Sequence, residues 1–188
     1  MKKTNTTTVW LSRNIWIVLL LGFSSGLPLA LSGSTLQAWL VTGGRISLES
    51  LGFFSLVGAA YTFKFLWAPL MDRFVPPWLG RRRGWMLLMQ CGLIVLVVLL
   101  SFVIPAEHLW LFAGLALLVA FFSASQDIAI DAYRTDLLQP KERGPGAAMN
   151  VGGYRLGALL SGGIALIFAQ YFGWHVTYLI MALCLLIG

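Results

Sequence analysis

Charge is what this sequence has least of. Only 11% of its 188 residues are Asp, Glu, Lys or Arg, where an ordinary soluble domain carries about 25%. A water-soluble globule of this size would run out of polar surface, so the expected solvent is lipid. Cysteine is scarce too: Cys91 and Cys184 both lie inside apolar runs. There they pack as small hydrophobes, and their spacing supports neither a disulfide framework nor a metal site. The two histidines, His108 and His175, fall by predicted outer loops without a partner cluster. No nucleophile constellation, phosphate-binding loop or metal-ligand spacing occurs, so no catalysis and no cofactor is expected. The net charge of +6 comes without a basic face or a recognition motif, which argues against a nucleic-acid partner. Lys2, Lys3 and Arg13 precede an apolar stretch with no cleavage-like site. A first transmembrane helix is therefore expected there, and not a signal peptide.

Hydrophobic residues make up 59% of the chain, with twelve Phe and eight Trp. Hydropathy predicts a cytoplasmic tail at 1–13 and spans at about 14–41, 51–71, 85–104, 109–137, 145–170 and 174–188. The last run holds 15 residues, which rise about 22 Å against a hydrocarbon core of about 30 Å. The chain is accordingly expected to stop within its sixth span. Lys2, Lys3, Arg13, Arg73, Arg81, Arg82, Arg83, Lys141 and Arg143 fall in alternate connecting segments, and only Arg45 falls in the others. The positive-inside rule then predicts a cytoplasmic N-terminus. A faint repeat links Phe23-Ser24-Ser25 to Phe122-Ser123-Ala124-Ser125, Val57-Gly58 to Val151-Gly152, and Gly84-Trp85 to Gly173-Trp174. Three spans separate the copies, as in nested inverted repeats.

Four ionisable residues lie within predicted spans: Lys64, Asp127, Asp131 and Arg155. Each costs about 2.5–3.5 kcal/mol at a helix centre, so they should face protein, water or one another. Asp127 and Arg155 share one predicted depth, about 16 Å from their inner helix ends. Lys64 and Asp131 share another, about 10–12 Å. Two acid–base pairs at two levels are the geometric expectation. Gly22, Gly26 and Ala30 repeat at four-residue intervals, and Gly152, Ala158 and Gly162 flank Arg155, which predicts close helix packing on those faces. Pro28 predicts a kink.

The segment Asp72-Arg73 followed by Gly80-Arg81-Arg82-Arg83 resembles the major facilitator signature between helices two and three. In it, an acid at a helix end exchanges basic partners between states. Two departures are Ala68 where that signature begins with Gly, and a wider gap between Arg73 and Gly80.

Longer words follow. Gly22-Phe23-Ser24-Ser25-Gly26-Leu27-Pro28-Leu29-Ala30-Leu31, Thr35-Leu36-Gln37-Ala38-Trp39, Phe63-Lys64-Phe65-Leu66-Trp67, Ser123-Ala124-Ser125-Gln126-Asp127-Ile128 and Gly153-Tyr154-Arg155-Leu156-Gly157 closely resemble the AmpG-type muropeptide permeases of the major facilitator superfamily. The resemblance runs from about residue 15 to the end. It implies an all-α transmembrane fold, the six-helix N-terminal bundle of a transporter built as a 3+3 inverted repeat. It implies proton-coupled import of anhydromuropeptides across the inner membrane of a Gram-negative bacterium. A muropeptide, protons and a C-terminal six-span half, missing from these 188 residues, would be its partners. The implied carboxylate-bearing solute assigns Lys64 and Arg155, with Gln37, Gln126, Tyr61 and Tyr154, to substrate binding. Asp127, paired to Arg155 in one state, is the expected proton-coupling carboxylate, and Asp131 a lesser one. Two alternatives stand beside this reading: another large anionic solute such as an acyl-coenzyme A, or a truncated membrane protein that does not transport.

Overall fold

Apolar runs punctuated by Gly and Pro produce long helices with breaks at the punctuation. The protein, seen here as a computed structural model, is described for residues 10, 12–42, 52, 54, 56–77 and 79–188. Lys2, Lys3, Arg45 and Trp78 lie outside those residues. Among the described residues every regular element is helical: α1 (Arg13–Ser32), α2 (Ser34–Thr42), α3 (Ala59–Thr62), α4 (Ala68–Arg73), α5 (Arg81–Phe102), α6 (Leu109–Leu137), α7 (Arg143–Leu159) and α8 (Ala165–Leu185). Short 3₁₀ turns cover Leu56–Gly58 and Lys64–Leu66, and a π turn covers Leu160–Ile164. Four segments are long and apolar enough to cross a membrane: Arg13–Thr42, Arg81–Phe102, Leu109–Leu137 and Arg143–Leu185.

Four of the expected spans are not simple rods. The first breaks at Gly33, whose φ of −101° and ψ of −106° interrupt the helix between α1 and α2. The second, expected as one helix over 51–71, is a series of short turns and helices. Pro69 explains part of this, because its ring cannot share a helix with the carbonyl four residues earlier. The fifth and sixth join without a loop, and the chain turns at Gly173, which takes φ 80° and ψ 165°. Contacts on either side show the reversal. Thr35 bonds Ser161 O and Thr42 receives Trp174 Nε1, after which Tyr178 OH donates back to Leu31 O. Only glycine occupies that backbone region readily.

The bundle is apolar outside and carries a polar seam within. Leu88, Val95, Leu99 and Phe102 on α5 and Trp110, Leu111 and Leu117 on α6 are exposed. Ser24, Ser25, Gln90, Ser123, Ser125, Gln126 and Asp127 are buried. That distribution suits hydrocarbon and would be unfavourable in water. Beside the polar seam, Leu27, Leu31, Leu93, Val97, Phe112 and Met181 form the apolar core.

Glycine sets the closest approach. A Cβ built on Gly22 or Gly26 would collide with the backbone of Asn150 or Tyr154, and one on Gly153 or Gly157 with the backbone at Leu19 or Phe23. The close face of α7 is thus Gly153/Gly157. It is not the expected Gly152, which faces open space, and Gly162 meets side chains alone, Ala30 Cβ at 3.4 Å and Ser34 Oγ at 3.8 Å.

The segments rich in Arg and Lys converge on one end. There Ser12 Oγ donates to Glu142 Oε1 at 2.6 Å, and Asn14 Nδ2 and the Gln139 N–H donate to Oε2 at 3.3 and 3.1 Å. The Ser12 bond first, then Gln139, holds the Glu142 carboxyl below the usual carboxylate range against its partial burial. Its folded pKa therefore lies below the unfolded value of about 4.3. The clasp contributes fully above that pH, and its contribution is lost as pH falls through the folded value. Thermal unfolding in detergent between about pH 6 and pH 3 should show an acid-side loss that Glu142→Gln reduces.

Candidate functional site

Three elements meet around one carboxylate. On α6 the run Ser123 to Asp127 faces inward, and Asp127 is 8% exposed. Ser25 of α1 donates its hydroxyl to Asp127 Oδ1. Lys64, in the 3₁₀ turn of the broken segment, brings Nζ to 3.6 Å from Asp127 Oδ2. Lys64 thus reaches the carboxylate from irregular backbone between α3 and α4. Trp67 Nε1 donates to Ser125 Oγ at 3.0 Å, and Tyr61 OH lies 3.3 Å from Ser32 Oγ. Tyr154 on α7 is half-buried, its backbone against Gly26 of α1. The result is a lysine–carboxylate pair ringed by hydroxyls and an indole.

The pairing differs from the one expected by depth. Lys64 was matched to Asp131 and Asp127 to Arg155. Instead Lys64 meets Asp127, and Asp131 is exposed and pairs with Arg134 at 3.1 Å on its own helix. Arg155 is exposed on α7 and forms no ion pair with any described residue. Depth along a helix fixes height but not azimuth, and azimuth decides which neighbour a side chain meets.

The remaining candidates separate into different places. Gln37 is exposed on α2. Gln126 turns away from Asp127, since adjacent residues on a helix point about 100° apart. Its Nε2 donates to Gln90 Oε1 and, at 3.2 Å, to Ser24 Oγ, while Gln90 Nε2 donates to Leu185 O. This polar seam ties α1, α5, α6 and α8 together. Gln90, Ser24 and Ser25 were missed from the sequence. The adjacent serines inside an apolar run were the available signal, because a hydroxyl there needs a partner.

At the basic end, Gly80 takes φ 77° and starts α5. Asp72 Oδ1 receives Arg82 at 2.7 Å, Arg82 Nε also reaches Asp136 Oδ2 at 3.4 Å, and Arg81 donates to Asp72 O at 3.4 Å. Arg83 donates to Tyr133 OH at 3.3 Å. Trp85 Nε1 donates to the carbonyls of Met71 and Phe74 at 3.0 and 2.9 Å, closing the turn. Arg73 makes no ion pair with a described residue. The acid thus has a basic partner on the next helix, and one arginine links the ends of three helical segments.

Comparison with known proteins places this geometry in context. Residues 18–188 match the profile of the Major Facilitator Superfamily. Over 171 residues the chain is 56% identical to a protein of Escherichia coli named Anhydromuropeptide permease, covering 90% of this chain and 35% of that protein. It is 44% identical over 177 residues to an uncharacterized protein of Haemophilus influenzae, covering 94% of this chain and 41% of the other. A Putative transporter AmpG 1 of Rickettsia bellii is 33% identical over 181 residues, with 94% and 44% covered. The chain spans less than half the length of these curated relatives.

Proposed function

The chain belongs to the major facilitator superfamily, and from that premise we propose that it acts as the N-terminal six-span half of a proton-coupled anhydromuropeptide importer of the inner membrane. The N-terminus and the basic end would face the cytoplasm, as the positive-inside rule requires. A C-terminal half would complete the central cavity, because substrate sites in this architecture lie between repeats near the midplane. The identity to the Escherichia coli permease supports the solute class.

One observation carries the coupling mechanism: a partly exposed Lys64 paired with a buried Asp127 that also accepts from Ser25. A lysine and a carboxylate that neutralise each other are tolerable inside a membrane protein, and either alone is not. When a carboxylate of the solute's peptide stem takes the Lys64 ammonium, Asp127 loses its counter-charge. Uptake of one proton by Asp127 then restores neutrality. Solute and proton are linked through a shared lysine. Arg155, exposed and without an ionic partner among the described residues, supplies a second cationic contact for the solute, with Tyr61 and Tyr154 alongside. Asp131 contributes less, since Arg134 already compensates it.

The test is solute accumulation at several pH values in proteoliposomes holding this chain and a C-terminal half. Asp127→Asn mimics the protonated acid. It should abolish gradient-driven accumulation while solute exchange persists. Accumulation by Asp127→Asn with an unchanged pH dependence would remove Asp127 from the coupling.

A further inference from the structure

A second cationic place lies at the basic end, apart from the buried pair. Arg134 and Thr135 near the end of α6, Leu138 after it, and Arg143 and Ala147 at the start of α7 line a cleft of about 180 Å³. Around it Arg134, Lys141 and Arg143 outnumber Asp131 and Glu142 by one charge. Asp131 takes one side of Arg134. Asp136 faces Arg82. Glu142, immediately before Arg143, has both carboxylate oxygens occupied by Ser12, Asn14 and Gln139. Arg143 forms no ion pair with a described residue, and exposed Lys141 lies two positions before it.

From this arrangement we propose that the cleft between the end of α6 and the start of α7 is a binding site for a phosphate group carried by an anionic membrane lipid. Two features distinguish it from a general basic rim. The guanidiniums come from two helices across a cleft, so they can converge on one anion through paired N–H donors. The first turn of α7 also presents the positive end of a 17-residue helix to the same place. Both lie where basic segments gather, the depth at which lipid phosphates sit, and basic pockets between transmembrane helices suit such headgroups. Asp136 is engaged by the Arg82 bridge, and Glu142, which keeps its negative charge, turns both carboxylate oxygens to Ser12, Asn14 and Gln139. Binding there would pin the α6–α7 corner to the membrane surface without entering the bundle.

The experiment uses the 188-residue chain purified in mild detergent, with native mass spectrometry and a titration of short-chain phosphatidylglycerol against phosphatidylcholine. Wild type should retain phosphatidylglycerol preferentially. Arg134→Gln and Arg143→Gln should each weaken it roughly fivefold, the factor that about 1 kcal/mol per basic residue implies. Arg143→Lys should lose part of that, since a lysine keeps the charge but not the paired donors. Arg73→Gln, at the same basic end but outside the cleft, should weaken retention less than either cleft variant, through its surface charge alone. Inorganic phosphate is the second arm. If it binds with the same Arg134 and Arg143 dependence and the lipid shows no preference, the phosphate site stands and its source is a free solute. Equal loss in Arg73→Gln, or no preference by either probe in variants of native helicity, overturns the site.

Discussion

Replacing Gly157 by alanine should destabilise the bundle by about 1–3 kcal/mol, the usual range for forcing an extra methyl into a filled interface. The added Cβ would meet the Phe23 carbonyl and the Leu27 amide nitrogen, which are backbone and cannot rotate away. Relief requires α1 and α7 to separate along the whole glycine face. The control sits five residues earlier on the same helix. Gly152→Ala meets nothing within 4 Å, so it should register only the helix-propensity gain of up to about 1 kcal/mol. Thermal unfolding followed by helix circular dichroism in one detergent compares the two directly. Changes of the same sign in both variants would refute a backbone-to-backbone contact. Gly157→Leu should be worse than Gly157→Ala, because the larger side chain adds bulk to the same collision.

The second large effect concerns Lys64. Removing it with Lys64→Ala strands the Asp127 carboxylate with Ser25 as its remaining hydrogen-bond donor. Breaking a buried pair in this way typically costs about 3–5 kcal/mol. The lower end applies here, because the Lys64 side chain is 34% exposed and only Asp127 is buried. Asp127→Asn should cost less, since an amide still accepts from Ser25 and a long lysine can extend its ammonium towards a wetter region. The double variant Lys64→Ala/Asp127→Asn should be more stable than Lys64→Ala alone. That non-additivity is the signature of direct coupling. Additive losses would mean that the two groups do not interact, and the coupling reading above would fail with them.

Much of the architecture was legible because hydropathy is a one-dimensional signal and lipid imposes it strongly. The apolar run at 109–137 is a helix over Leu109–Leu137, since nothing in it breaks a helix. The run at 51–71 was misjudged as one helix because hydropathy is indifferent to Pro69 and Gly58, while backbone geometry is not. The candidate site was legible in its members and not in its pairing. Lys64 and Asp127 announced themselves by the expense of a charge in hydrocarbon. Which acid Lys64 meets depends on a 3₁₀ turn that swings it, and no spacing rule encodes that. The glycine face shows the same limit. Four-residue spacing in α1 pointed to close packing, but choosing Gly153 and Gly157 over Gly152 and Gly162 on the partner needs the rotation of α7.

The glycine contacts also settle a question of parity. Gly22 sits on Asn150 and Gly26 on Tyr154, while Gly153 sits on Leu19 and Gly157 on Phe23, so numbers rise together and α1 and α7 point the same way. Asn14 reaches Leu137 O and Ser25 reaches Asp127, so α6 points the other way. Arg82 reaches Asp136, and Gly92 abuts Phe122, which makes α5 opposite to α6 and co-directional with α1. Two consecutive long helices with one direction require an odd number of crossings between them. The broken stretch through α3 and α4 must supply that crossing, although no piece of it is long enough to qualify alone. Its ends agree, with Phe54 against Phe112 at one face of the bundle and Asp72 against Arg82 at the other. The segment that hydropathy rates as least regular is thus the one on which the sense of every later helix depends.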